Sequence, residues 1–174
     1  MRKVEVISYN KSWPLMYEKE AKRLCDIFGP EIIEIHHIGS TSVHGLPAKP
    51  VIDIMPVVKD IEQVDYFNTA MIDIGYEAKG ENGLPGRRFF QKGGSERTHH
   101  IHFYGIDNPE IDRHLAFRNY LRTHPDALKK YGDLKKELSQ RFPDDIDAYI
   151  RGKEQLISRI EKKAMYWHQN SESD

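Results

Sequence analysis

A chain of 174 residues has room for one domain with a buried core. Hydrophobic residues at 39% and charged residues at 30% are the balance of a soluble globular protein. The 26 basic and 27 acidic side chains nearly cancel, which excludes a global polyanion-binding charge and leaves room only for a local basic patch.

Cys25 is the single cysteine, so no intramolecular disulfide is expected. The segment Met1–Val6 has no long apolar run, and nothing approaches the roughly 18 apolar residues of a membrane span. Neither a signal peptide nor a membrane helix is expected, and a cytoplasmic location is.

In chain order, Val4–Ser8 alternates apolar and polar residues and predicts a short edge strand. Ser12-Trp13-Pro14 is a helix entry, with a hydroxyl suited to capping and a proline in the first turn. Leu15, Ala21, Leu24 and Phe28 form a helical stripe that ends at Gly29-Pro30, and Cys25 in its midst reads as a small core or near-core residue. Ile32–Ile38 is a strand cut off by Gly39. Ser40–Pro50 contains Gly45 and Pro47 and ends on Pro50, the pattern of a loop of fixed shape. Val51–Val58 is apolar apart from Asp53, as expected of a central strand.

Ile61, Val64, Phe67, Ala70, Met71 and Ile74 predict a helix stopped by Gly75. Glu77–Pro85 reads as a hairpin or loop. Arg87–Lys92 and Thr98–Tyr104 are strands on either side of the Gly93-Gly94-Ser95 turn. The C-terminal third is helical, with helices from Asn108 through Leu121, from Pro125 through Leu138, and from Pro143 to about Trp167. The expected fold class is α/β (α+β), a mixed sheet flanked by helices. A single domain over residues 1–169 and a disordered polar tail at 170–174 are expected.

The stretch His37-Ile38-Gly39-Ser40-Thr41-Ser42 leaves a strand through a glycine and three successive hydroxyls. Backbone amides at such a turn approach phosphate oxygens closely, and Ser40 adds a hydroxyl donor. Asp53 sits on the following strand, where a carboxylate among apolar neighbours needs a strand end, a metal or a hydrogen-bond network. A glycine-serine turn followed by a strand aspartate is a minimal device for holding a nucleotide triphosphate and its magnesium. The plainer alternative is a tight turn capped by a carboxylate.

The run Ile38-Gly39-Ser40-Thr41-Ser42-Val43-His44-Gly45-Leu46-Pro47-Ala48-Lys49-Pro50-Val51-Ile52-Asp53-Ile54 resembles the signature of the GrpB family (UPF0157). The resemblance continues through Arg97–His102, His114–Arg122, Tyr131, Leu134-Lys135, Tyr149 and Lys153, and so covers most of the chain. It implies a nucleotidyltransferase-superfamily domain of the DNA polymerase β-like fold, with Asp53 as the catalytic or metal-binding carboxylate. Some relatives carry the module fused to dephospho-CoA kinase, which implies a nucleotide or phosphorylated small molecule, or the coenzyme A pathway, as partner. Neither nucleic acid nor a membrane is expected.

One departure bears on the reaction. Active nucleotidyltransferases carry two carboxylates one residue apart on this strand, on one side of the pleat, where they hold two magnesium ions. Here the second position is Met55. The later strand offers His100 and His102 on one face, and with Asp53 they make a two-histidine, one-carboxylate set suited to zinc, manganese or iron better than to magnesium. Ahead of the metal stands the reading in which the histidines donate to a phosphate, and the plainer alternative is a polar face of a half-exposed sheet.

Basic residues available for phosphate are Lys49, Arg88, Lys92, Arg97, Arg113 and Arg118, of which Arg88, Arg97 and Arg118 are favoured for bidentate contacts, with His114 on the same helical face as Arg118. Three readings follow: a phosphate- or nucleotide-binding transferase, a non-catalytic binding module with a degenerate site, and a mononuclear metal hydrolase.

Overall fold

The computed structural model describes residues 3–172. Its internal contacts sort the chain into two compact units, one of Lys11–Ile38 with Val51–Ile111, the other of the residues through Asn10, Gly39–Pro50 and those from Asp112 onward.

In the first, the sheet unit, the strands are β1 (Ile32–Ile38), β2 (Ile52–Val58), β3 (Tyr76–Ala78), β4 (Arg87–Lys92) and β5 (His99–Gly105). They lie in the order β1-β2-β5-β4-β3, with β2 and β5 parallel and the other pairs antiparallel. The apolar run of β2 is thus an interior strand, as its composition predicts.

One face of this sheet packs on α1 (Trp13–Phe28). Leu24 and Phe28 point into it, and the Phe28 ring lies 4.7 Å from Phe103 and 4.4 Å from Phe67. Tyr17 donates to the Ile35 carbonyl at 3.1 Å and stacks on His37. The same face buries Glu20, which accepts from Tyr76 Oη at 2.8 Å and Lys92 Nζ at 3.1 Å.

The predicted helix over Ile61–Ile74 is two elements, a 3-10 helix at Ile61–Phe67 and then α2 (Asn68–Asp73). Ile61, Val64 and Phe67 are three apart, the repeat of a 3-10 helix, and the spacing loosens toward the α-repeat only afterwards. Asp60 caps the start by accepting from the Glu62 amide. Ser12 does not cap α1, because its own backbone is already helical and its hydroxyl turns to Met16.

The second, helical unit contains α4 (Pro125–Arg141), α5 (Ile146–Glu172) and α3 (Glu110–Thr123) from Asp112 on. Its core joins Val43 and Leu46 of the loop to Leu121, Tyr131 and Ile160 of the helices. A second cluster joins Val4 to Leu138 and Tyr149.

The predicted edge strand shrinks to one antiparallel bridge between Ile7 and Ala48, since the Val4 amide is given to the Pro143 carbonyl instead. α5 starts later than Pro143 because Asp145 caps it through the Ala148 amide. The expected loose tail at 170–174 is helical through Glu172, and its last two positions lie outside the described residues. No helix among the described residues is long and apolar enough to cross a membrane.

Candidate functional site

Strand registers place one row of residues straight across the sheet, on the face opposite α1. Ile38 pairs with Asp53, Asp53 with His100, His100 with Gln91, and Gln91 with Glu77. Directly paired residues share a face, so this row is polar over four strands. His102 and Phe89 pair in the adjacent row.

Asp53 is the focus of the row. Its Oδ1 accepts from His102 Nε2 at 3.0 Å and lies 3.6 Å from His100 Nδ1, a charge contact rather than a full hydrogen bond. Burial alone would raise the Asp53 pKa, but the two imidazoles outweigh it and hold the carboxyl far below its ordinary range.

Arg87 completes a chain on the far side of His102, with Nη1 3.5 Å from His102 Nδ1. A guanidinium can only donate, so Nδ1 is the acceptor and Nε2 carries the hydrogen given to Asp53. Arg87 is itself fixed by the Glu81 carbonyl at 3.1 Å and the Asn82 carbonyl at 2.8 Å. The Phe89 ring lies about equally far from both imidazoles, at 5.3 and 5.2 Å, with the Arg87 guanidinium 4.8 Å from its centre.

His100 differs from His102 in one respect. Its Nε2 is buried and has no hydrogen-bond partner among the described residues. A buried ring nitrogen without a partner is costly unless water or a ligand meets it.

The donor set does not fit two magnesium ions. Met55, where a second carboxylate is needed, is 0% exposed and pairs with His36, and a thioether does not ligate magnesium. Two histidines and a carboxylate are the right donor types for zinc or manganese. Even so, among the described residues no group of three or more His, Cys, Asp or Glu side chains is arranged to hold a metal.

The glycine-serine turn lies in the helical unit. Gly39 has φ 72° and ψ −173°, a conformation open to glycine alone, and Ser40–Ser42 is one 3-10 turn. The amides of Ser42 and Val43 are spent inside it, on Gly39 and Ser40 carbonyls, and the Ser42 hydroxyl also donates to Gly39. Ser42 therefore shapes the turn. Arg122 holds it from α3 with two donors on the Ser42 carbonyl, Nε at 3.0 Å and Nη2 at 2.8 Å. Thr41 is buried and Ser40 half-buried.

The predicted basic residues come from separate elements in each of the two units. Arg88 is on the α1 face of the sheet, away from Asp53, in a two-pronged pair with Asp65 at 2.8 and 3.3 Å. Arg97 is half-buried in the β4–β5 turn, and its Nε lacks a partner among the described residues. Arg118 donates to Asn119, His114 faces Arg113, and Lys49 is half-buried just after the Ile7–Ala48 bridge. Sequence reading passed over Arg87 and Gln91. Their alternation with Phe89 on a strand opposite two histidines was the available signal.

Comparison with known proteins agrees with this architecture. A solved structure, the conserved protein GrpB from Enterococcus faecalis, superposes with a TM-score of 0.91 at 48% identity, over 94% of this chain and 99% of that one. UPF0157 protein YqkA of Bacillus subtilis is 52% identical over 95% of this chain, which spans 48% of that relative's length. A dephospho-CoA kinase of Mycolicibacterium paratuberculosis matches 94% of this chain at 25% identity over 46% of its own length.

The Cid1 poly(U) polymerase shares the fold at a TM-score of 0.55 and 14% identity, over 78% of this chain and 44% of that one. The mixed sheet and its helices are therefore nucleotidyltransferase-like. The GrpB protein family model matches residues 3–163, and the chain belongs to that family.

Proposed function

We propose that this chain binds a nucleotide or related phosphorylated small molecule at Asp53, His100 and His102, and does so without two-metal nucleotidyl transfer. The observation that carries this reading is the buried, unpartnered Nε2 of His100 at the end of an Asp53-anchored pair of imidazoles. The nucleotidyltransferase-like fold and the likeness to part of a dephospho-CoA kinase support nucleotide chemistry.

The chemistry follows from the tautomers. A phosphate oxygen can only accept, so His100 meets it through a hydrogen on Nε2. Asp53 is a weak base in this setting, because two imidazoles already stabilise its ionised form. Its role is to orient both rings rather than to take a proton. His102, locked between Asp53 and Arg87, keeps the carboxylate in place.

The buried Met55 supports a second reading within the same frame, a binding module that kept the fold and lost the transfer reaction. A thermal-shift screen with ATP, UTP and dephospho-coenzyme A, with and without magnesium, manganese or zinc, tests both. A ligand at about a hundred times its Kd adds about 2.7 kcal/mol, or about 5–10 °C in Tm for a domain of this size. The rise is expected in the wild type without metal and is expected to vanish in His100→Ala. If no compound raises Tm, the binding reading fails.

A further inference from the structure

In the helical unit, the end of α3, the first turns of α4 and the middle of α5 enclose a groove of about 680 Å³. Its floor is apolar, made of Tyr120, Ala127, Leu156 and Ile160, all part of or packed against the core of the helical unit. Its rim is cationic. Lys129 is paired with Asp133 at 2.7 Å, and Asp126 is the other acid in the lining; among the described residues Lys130, Arg159 and Lys163 are in no ion pair.

Two more features point the same way. The N-cap of α4 is His124, which offers no side-chain acceptor to the first-turn amides, so the positive end of a 17-residue helix opens at the rim. The His124 ring is stacked on Tyr120 at 3.8 Å and edge-on to Trp167 at 5.4 Å. Its Nδ1 lies 2.8 Å from the Tyr120 carbonyl, which can only accept. The neutral ring therefore carries its hydrogen there and leaves Nε2 as its acceptor nitrogen. The aromatic surface continues over a second hollow of about 430 Å³ lined by Lys162, Tyr166 and Trp167. Tyr166 is 74% exposed.

We infer that this groove is a second ligand site, for a small organic anion with a flat or apolar body and one phosphate, sulfonate or carboxylate end. A site of several hundred cubic ångströms with an apolar floor and a few convergent charges is the usual form of a small-molecule pocket. The apolar body lies on Ala127, Leu156 and Tyr120, and the anionic end meets Lys130, Arg159, Lys163 and the α4 amides. The near-zero net charge of the whole chain does not produce this patch. It arises because Arg159 and Lys163 are four apart on one face of α5 and Lys130 comes up beside them from α4.

The test uses two fluorescent dyes of similar shape, anilinonaphthalene sulfonate and the uncharged N-phenylnaphthylamine, titrated into the intact chain. The sulfonate is expected to bind saturably at one equivalent, roughly tenfold more tightly than the neutral dye. Arg159→Glu with Lys163→Glu is expected to remove that preference. Ala127→Trp, which fills the groove, is expected to weaken both dyes.

Lys136→Glu, an exposed charge reversal on α4 outside the groove, and Asp53→Ala at the sheet are expected to leave binding unchanged, with the variants' melting curves confirming their folds. Equal binding of the two dyes, or sulfonate binding untouched by the double reversal, overturns the inference. So does sulfonate binding lost in Asp53→Ala, which would move the anion site to the sheet.

Discussion

His102 Nε2 donates to Asp53 Oδ1 at 3.0 Å, and this one bond orders the polar face of the sheet from Arg87 across to β2. Asp53→Ala removes the acceptor of His102 and the charge partner of His100 in one step. The expected loss of stability is about 1–3 kcal/mol, the cost of leaving a half-buried polar partner unmet, read from urea unfolding at neutral pH.

The same bond has a pH signature. Asp53 titrates lower in the folded protein than its ordinary value of 3.8, so the unfolded chain binds more protons near that pH. Its contribution is full above that value and is lost as pH falls through the lower, folded value. Acid unfolding curves of wild type and Asp53→Asn are expected to converge at low pH and separate above about pH 5. Parallel curves over the whole range would remove Asp53 as the cause.

On the opposite face, His99 is buried beside Glu20 and Lys92, and burial pushes its pKa down despite the attraction of Glu20. A histidine with a lowered folded pKa stabilises the fold above its ordinary value of 6.5 and loses that contribution on acidification. Stability is expected to fall as the pH drops below about 6.5 toward the lower, folded value, and less so in His99→Phe. Glu20→Ala is the harsher change. It strands the Lys92 ammonium against Tyr76 and is expected to cost about 3–5 kcal/mol in urea melts.

How much of this was legible beforehand varies by element. β1 and β4 fall at the bounds read from sequence because glycine turns cut them off sharply. β3, three residues long, is too short to show an alternation and was hidden in a predicted loop. Asp53, His100 and His102 could be grouped because strand periodicity assigns faces. The register that brings Arg87 and Gln91 beside them is a long-range fact that no local pattern encodes. Arg88 illustrates the converse. Its type suited phosphate, but the odd-even step along β4 sends it to Asp65.

The Gly39 turn makes a separate prediction. Gly39→Ala forces a side chain into a backbone region reserved for glycine, and Arg122→Met removes both donors from the Ser42 carbonyl. Each is expected to cost about 1–3 kcal/mol. Amide hydrogen exchange at Ser42 and Val43 is expected to accelerate in both variants by more than the global change in stability alone would give.

Met55→Asp probes the history of the site. A carboxylate at a fully buried position is expected to lower stability by about 2–5 kcal/mol, and magnesium is expected to restore part of that loss in the variant only. A magnesium-dependent rise in wild-type Tm would contradict the reading that the site no longer holds that ion.

The most direct measurement is calorimetric titration of dephospho-coenzyme A and ATP into wild type and His100→Ala, without divalent metal. Binding of at least one of them by the wild type is expected, with its loss in the variant. Equal binding by the two proteins would contradict the role given to His100.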